Sequence, residues 1–408
     1  MNRKQFRLLL ILGLVAGGIG LAAYRRDDAS WSGSAASSGT VLGRFDLNAV
    51  TRVTIRDRGA ALALKKKDDA WVVEDRADYP ADFNRIKELI QGLWELKPVQ
   101  EVKAGPSQYG RLELVAPGEK AAGKTEEKAE GKEPAATGTL VELRGSGEQP
   151  VASLLLGKRY MKKSPQSPVE EGYPAGRYVL PVGRPNAPVI IVNSTLDHIE
   201  PKAERWLQKD FIRVNRIRAV TVKTPEESAP WKLSRETDNA TEWKLEGAAA
   251  SETVDSAKVP SFASVLGYPS FSDVLAPDAK VEEERRVTVE TFDGFTYTLA
   301  FGKPEGDNFP VKVSVAAALT RERTPGKDEK PEDKKKLDDE FDENLKKLEE
   351  KLAKEKALES RAYLVSKTSF EPLFKKRADL LKEAEKPADK TQESATSAEA
   401  KPAAPKSK

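Results

Sequence analysis

The sequence contains no cysteine and a single histidine, His198. Without a thiol there can be no disulfide, thiolate metal site, cysteine nucleophile or acylated-cysteine lipoprotein anchor. With one imidazole, no site that needs two can form. Charge of one sign is missing as well: 68 Lys and Arg stand against 65 Asp and Glu, a net of +3. That balance argues against a dedicated nucleic-acid binder, which would show a clustered basic face. Hydrophobic residues are scarce at 38%, against 33% charged, below the usual globular share. The deficit is local and falls in three polar stretches, 118–137, 321–360 and 384–408.

What is present begins at the N-terminus. Arg3, Lys4 and Arg7 precede an uncharged run of 17 residues, Leu8 to Tyr24. As a helix it would be roughly 26 Å long, at the short end for a bilayer span. Positive charge ahead of the run favours a cytoplasmic N-terminus and an exported body. The expectation is a single-pass anchor in the cytoplasmic membrane through residues 8–24, with the C-terminal body outside the cytoplasm. A cleaved signal peptide with Gly20-Leu21-Ala22 as its small-x-small site is the alternative, and it exports the body too. Gly13 and Gly17 form a GxxxG pattern, more often ordinary small-residue content than a dimerisation face.

The body is written twice. Val53-Thr54-Ile55, Leu62-Ala63-Leu64 and Trp71-Val72-Val73 open the first copy; Val220-Thr221-Val222, Trp231-Lys232-Leu233 and Trp243-Lys244-Leu245 open the second. Alternate apolar residues are the signature of strands with one buried face. An aspartate and an apolar helical stripe follow in each: Asp82 before Ile86, Leu89, Ile90 and Leu93, and Asp255 before Val259, Phe262, Ala263 and Leu266. The spacing predicts a helix capped by each aspartate. A strand pair comes next, through Gly145-Ser146-Gly147 in one copy and Asp293-Gly294 in the other. Tyr363-Leu364-Val365 repeats Val189-Ile190-Ile191 after 174 positions, and the same shift carries Ser194 to Thr368 and Asp197 to Glu371. Hydroxyl and carboxylate three apart predict a capping box ahead of a helix.

These spacings predict an α+β fold: two tandem copies of a mostly antiparallel sheet with a few packing helices, preceded by one transmembrane helix. The expected divisions are an anchor or signal at 1–26, a linker at 27–44, a first repeat at 45–209 with a polar insert at 118–137, a second repeat at 210–383 with a charged helical insert at 321–360, and a disordered tail at 384–408. The second insert holds 12 Lys and Arg and 14 Asp and Glu, threaded by Leu337, Phe341, Leu345, Leu348 and Leu352. Their spacing of 4, 4, 3 and 4 marks one face of a helix. That stripe lies on its own lobe, or projects as an arm whose candidate partner contacts are these five residues, or the insert is disordered.

Phe45-Asp46-Leu47-Asn48-Ala49-Val50, with Trp71 and Tyr79-Pro80-Ala81-Asp82, resembles the bacterial domain-of-unknown-function family numbered 4340. The resemblance covers most of 45–320 and 360–380; the polar inserts depart from it. It implies an N-terminal membrane anchor and genes beside subunits of ABC transporters of the gliding-motility auxiliary type. It brings no catalytic residues.

Nothing in the spacing specifies catalysis. His198 reads as a surface or capping residue, since the repeat puts Pro372 at the matching position. Asp82 and Asp255 read as caps rather than paired carboxylates. Gly157-Lys158 and Gly302-Lys303 lack the remaining residues of a phosphate loop and read as strand-end turns. Trp71, Trp231 and Trp243 belong to the core, whereas Trp94 and Trp206 could line a groove between the repeats. The expectation is a non-catalytic accessory or binding protein outside the cytoplasm, without catalytic, cofactor or metal residues and without a cofactor. Its partners would be a membrane protein or transporter subunits, and not nucleic acid. The alternative is a periplasmic solute- or glycan-binding module with a cleft between the repeats.

Overall fold

A computed structural model describes residues 39–118, 137–147, 149–162, 172–326 and 329–382. The expected anchor, most of the expected linker, residues 119–136 of the first insert and residues 383–408 lie outside the described residues. Among the described residues no helix is long and apolar enough to cross a membrane.

Two sheets account for the strands. The first is built from β1 (Arg52–Arg56), β2 (Ala61–Lys67), β3 (Ala70–Val73), β4 (Tyr79–Pro80), β5 (Pro98–Val102), β6 (Thr139–Arg144), β7 (Pro150–Lys162), β8 (Tyr173–Pro181) and β9 (Val189–Val192). Its order is 4-3-2-1-6-7-8-9-5. The second holds β10 (Ile217–Lys223), β11 (Trp231–Ser234), β12 (Lys244–Leu245), β13 (Asp273–Val274), β14 (Arg285–Thr291), β15 (Phe295–Phe301), β16 (Asn308–Ala317) and β17 (Ala362–Ser366). Its order is 12-11-10-14-15-16-17-13. All named pairs run antiparallel. Without the two-residue β4, the two orders match strand for strand. The expected α+β class with tandem antiparallel sheets and few helices is what the chain adopts.

The alternation in the sequence sets the registers. Val53 and Ile55 oppose Leu64 and Leu62 on one side and Leu143 and Val141 on the other. In the second sheet Val220 and Val222 oppose Leu233 and Trp231, then Val289 and Val287. All twelve side chains are buried, each contributing roughly 1.5–3 kcal/mol of burial. A one-residue slip would turn them all outward. The β2–β3 turn places Asp68 and Asp69 at positive φ, as a two-residue hairpin requires.

Helix α1 (Phe83–Trp94) buries Ile86, Leu89, Ile90 and Leu93, and the Asp82 carboxylate caps it by accepting from the N–H groups of Asn84 and Arg85. The second helix departs from expectation. It is α2 (Pro260–Gly267), and Asp255 stands five residues ahead of it, capping a turn by accepting from the Ala257 N–H at 3.0 Å. Pro260 has no N–H to give to an earlier turn, so it fits the first helical position and the helix starts there. The equivalence of the aspartates survives in the backbone. Asp82 N–H donates to Trp206 O at 2.7 Å, and Asp255 N–H donates to Leu380 O at 2.8 Å.

The expected capping boxes also fail. Residues 194–200 form no helix; Leu196 has positive φ, and Pro201 disfavours helical geometry at Glu200. The second copy has only the one-turn α3 (Lys367–Phe370), capped by Ser366 rather than Thr368. Gly157-Lys158 lies inside β7, not at its end. A Cβ on Gly157 would come within 2.4 Å of Leu112 O, so glycine is what lets the Pro106–Leu112 segment cross the sheet there.

One apolar cluster runs through both lobes, from Val53 and Leu89 to Phe301 and Leu380. A smaller one, around Leu114, Leu140, Leu155 and Val189, fills the space under the crossing segment. The charged insert forms α4 (Pro331–Lys356), 26 residues and about 39 Å long. Leu348 and Leu352 pack against the main cluster. Leu337, Phe341 and Leu345 are half-buried but do not belong to it. The outgoing chain braces this outer half: Arg323 bonds to Asp338 at 2.7 Å and to Glu329.

Candidate functional site

The chain between the sheets, Gln208 to Asn215, runs along the floor of a cleft of about 1020 Å³. The first lobe contributes Tyr79 and Pro80 of β4. The second contributes Tyr268 and Pro269 after α2, and Tyr363 of β17. The far wall is the C-terminal part of α4, with Lys347, Lys351 and Lys354 turned to the cleft.

Four rings meet at this junction. Phe271 lies 6.1 Å from Tyr79, 5.3 Å from Phe211 and 5.0 Å from Tyr363, centroid to centroid. Tyr79 and Tyr363 stand edge to face at 6.4 Å. Such pairs add about 0.5–1.5 kcal/mol each beyond their buried area. Burial pushes the Tyr79 phenol up to about 12 and raises that of Tyr363 as well. Both stay protonated near neutrality.

Polar ties cross the same boundary. Arg76, just before β4, donates to both carboxylate oxygens of Asp273 on the edge strand β13, at 2.8 and 2.6 Å. Arg361 donates to Ala77 O at 2.6 Å. Lys209 donates to Ser272 O at 2.7 Å and sits 4.6 Å above the Phe271 ring. With a shared core and these ties, the lobes form one unit, and the cleft is a fixed feature of it.

The α4 wall is held by a buried polar cluster. Tyr297 donates to Glu355 Oε2 at 2.8 Å and accepts from Lys351 Nζ at 2.6 Å; the Arg213 N–H donates to Glu355 Oε1 at 2.9 Å. Lys351 also lies 4.4 Å over the Phe295 ring. Burial is the main influence on both titrating partners, lowering the Lys351 pKa and raising that of Tyr297.

The cleft collects positive charge. Lys209, Arg213, Lys347, Lys351, Lys354 and Arg361 line it, against Asp210, Glu350 and Glu355. Tyr268 stands at its rim, 83% exposed.

Of the residues singled out in the sequence, His198 is exposed in a turn, not in a helix, and is not among the cleft residues. Neither Trp94 nor Trp206 lines the cleft; their indole N–H groups donate to Phe45 O and Glu200 O. Leu348 and Leu352 lie on the second lobe, which leaves Leu337, Phe341 and Leu345 as the part of the stripe outside the core. Among the described residues no group of His, Asp and Glu is arranged to hold a metal. The aromatic cluster went unseen, although the duplication carries a signal for it. Tyr363 replaces Val189, and Phe271 stands two residues before Asp273 as Val99 stands two before Glu101, the residue that holds the equivalent pairing. At these two positions the rings appear in the second copy only, where they meet Tyr79 of the first.

No curated protein and no solved structure matches the chain. A family model does, from Trp71 in β3 to Arg285, the first residue of β14. The match includes the inter-lobe chain, Tyr268 and Phe271, and it ends before α4. Over residues 71–285 the chain thus belongs to the family described as Domain of unknown function (DUF4340).

Proposed function

We propose that this chain is a non-catalytic binding protein, anchored in the cytoplasmic membrane with its body outside the cytoplasm, that holds its ligand or partner in the inter-lobe cleft as an accessory to an ABC-type transport system. The cleft carries this reading. Three of the four clustered rings, Tyr79, Phe211 and Tyr363, and a set of basic side chains line it from chain segments far apart in sequence. Its walls are fixed by the Arg76–Asp273 pair and the Glu355 cluster. Binding is favoured over covalent catalysis because the chain has no thiol and its one imidazole lies away from the cleft. Export and anchoring rest on the basic residues ahead of the apolar run Leu8–Tyr24, and the link to transport rests on the family resemblance alone.

The test is photo-crosslinking in intact cells, with a photoreactive residue at Tyr268 or, as a control, at His198. Crosslinks from position 268 to an envelope component, absent from position 198, are expected. The protein should remain in the membrane pellet on alkaline extraction. Equal crosslinking from both positions removes the cleft from the proposal, and release into the supernatant removes the anchor.

A further inference from the structure

The insert helix carries a net negative charge, set by its N-terminal part, and its C-terminal part turns lysines to the cleft. Between Pro331 and Lys356 its Asp and Glu outnumber its Lys. Of the residues it gives to the cleft, Lys347, Lys351 and Lys354 face the lumen at helical spacing, and one of the two glutamates, Glu355, is buried against Tyr297. The three lysines span about 10 Å along the helix axis. Lys347 pairs with Glu343 at 2.7 Å and Lys351 with Glu355 at 3.7 Å, but the other cations of the cleft have no carboxylate partner among the described residues. Lys209 and Arg361 donate to backbone carbonyls. Arg213 and Lys354 form no ion pair among the described residues, whereas Arg216 and Arg218, a few positions on from Arg213, do. Cations that outnumber carboxylates six to three in a concave site raise the local concentration of anions. Beside them stands Tyr268, a large ring left open to solvent next to Pro269. An exposed aromatic face offers a stacking platform for the C–H face of a pyranose, because the ring face is the negative end of its quadrupole.

On the reading that the cleft is the binding site, we infer that its ligand is a strand of acidic polysaccharide. Tyr268 stacks on a sugar ring, and the row from Lys347 to Lys354, with Arg213 opposite, takes the carboxylates of successive residues. The row suits a linear polyanion better than a single small anion.

The full chain in an uncharged detergent is titrated with fluorescein-labelled polygalacturonate, with a neutral galactan, and with poly-L-glutamate, which has the charge without the sugar. Polygalacturonate is expected to bind, to weaken with added salt, and to exceed both other polymers. The exposed double variant Arg213→Ala/Lys354→Ala should lose about tenfold in affinity. Tyr268→Ala should reduce the preference for polygalacturonate over poly-L-glutamate. Equal binding of poly-L-glutamate points to an acidic peptide and overturns the inference, as does unchanged binding by the double variant. If no polymer binds while position 268 still crosslinks in cells, the sugar chemistry alone falls; if neither occurs, the cleft falls with it.

Discussion

Arg76 of the first lobe lays its guanidinium on the Asp273 carboxylate of the second, two hydrogen bonds at 2.8 and 2.6 Å between residues 197 apart in sequence. Asp273 is the main influence raising the Arg76 pKa. The side chains are 27% and 21% exposed, sheltered enough for a bidentate pair to count. Arg76→Ala and Asp273→Ala should each cost about 1–3 kcal/mol, with a coupling near 1 kcal/mol in the double-mutant cycle. Denaturant unfolding measures both. The parent should unfold in one transition, because a single apolar cluster spans the lobes.

The Glu355 cluster predicts how firmly α4 is held. Tyr297→Phe removes the hydroxyl that donates to Glu355 and accepts from Lys351, and should cost about 1–3 kcal/mol. Glu355→Ala removes a buried carboxylate that holds Tyr297, the Arg213 N–H and the half-buried Lys351, and should cost more, about 3–5 kcal/mol. Protease cleavage near Gly326 should speed up in both variants. Unchanged cleavage in Glu355→Ala would separate the cluster from the docking of α4.

A pH dependence follows from Glu252, whose carboxylate accepts from the Arg377 guanidinium at 3.0 and 2.7 Å and from the Ala249 N–H at 2.9 Å. Arg377 first, then that N–H, lower its pKa from 4.5 to about 2. A carboxyl lowered in the fold adds stability above its unfolded pKa and loses it as pH falls through the folded value. Stability should therefore decline between about pH 4.5 and 2, with a shallower slope in Glu252→Gln over that window. Parallel slopes would count against the pair.

The insert stripe divides in two. Leu348→Ala and Leu352→Ala should each destabilise the second lobe by about 1–3 kcal/mol, short of the cost at fully buried sites. Leu337→Ser/Phe341→Ser/Leu345→Ser should change global unfolding by less than about 1 kcal/mol, since these residues lie outside the core. If the outer stripe docks on a partner, the triple variant should also lose crosslinks from α4 while keeping those from Tyr268. Retained α4 crosslinks would show that it does not.

The duplication was legible because strand alternation is a local signal and both copies keep it, from Val53 and Val220 to Val189 and Tyr363. Where reading failed, one residue overrode a pattern. Pro260 moved a helix start away from Asp255, and Leu196 with Pro201 left a capping-box spacing without a helix. The cleft was not legible because its parts, near residues 79, 211, 268 and 351, meet only through the packing of one sheet beside the other. Periodicity reports which face of an element is buried, not which distant element covers it. The valine-to-tyrosine change from 189 to 363 was visible, but it means an interface only once the sheets are side by side.

The Arg76–Asp273 contact joins unlike edges, the β4 side of one sheet to the β13 edge of the other. Such a head-to-tail contact can in principle repeat from chain to chain without closing. The first lobe keeps the acidic half of it: Glu101 on β5 pairs with Ile190 as Asp273 pairs with Leu364. The basic half was not copied. Where the first lobe has Asp75-Arg76-Ala77 after its third strand, the second has Gly247-Ala248-Ala249-Ala250 after β12. Without a second basic half the contact cannot pass on from the second lobe in the same way, so a geometry able to build a filament instead fixes a pair of lobes within one polypeptide.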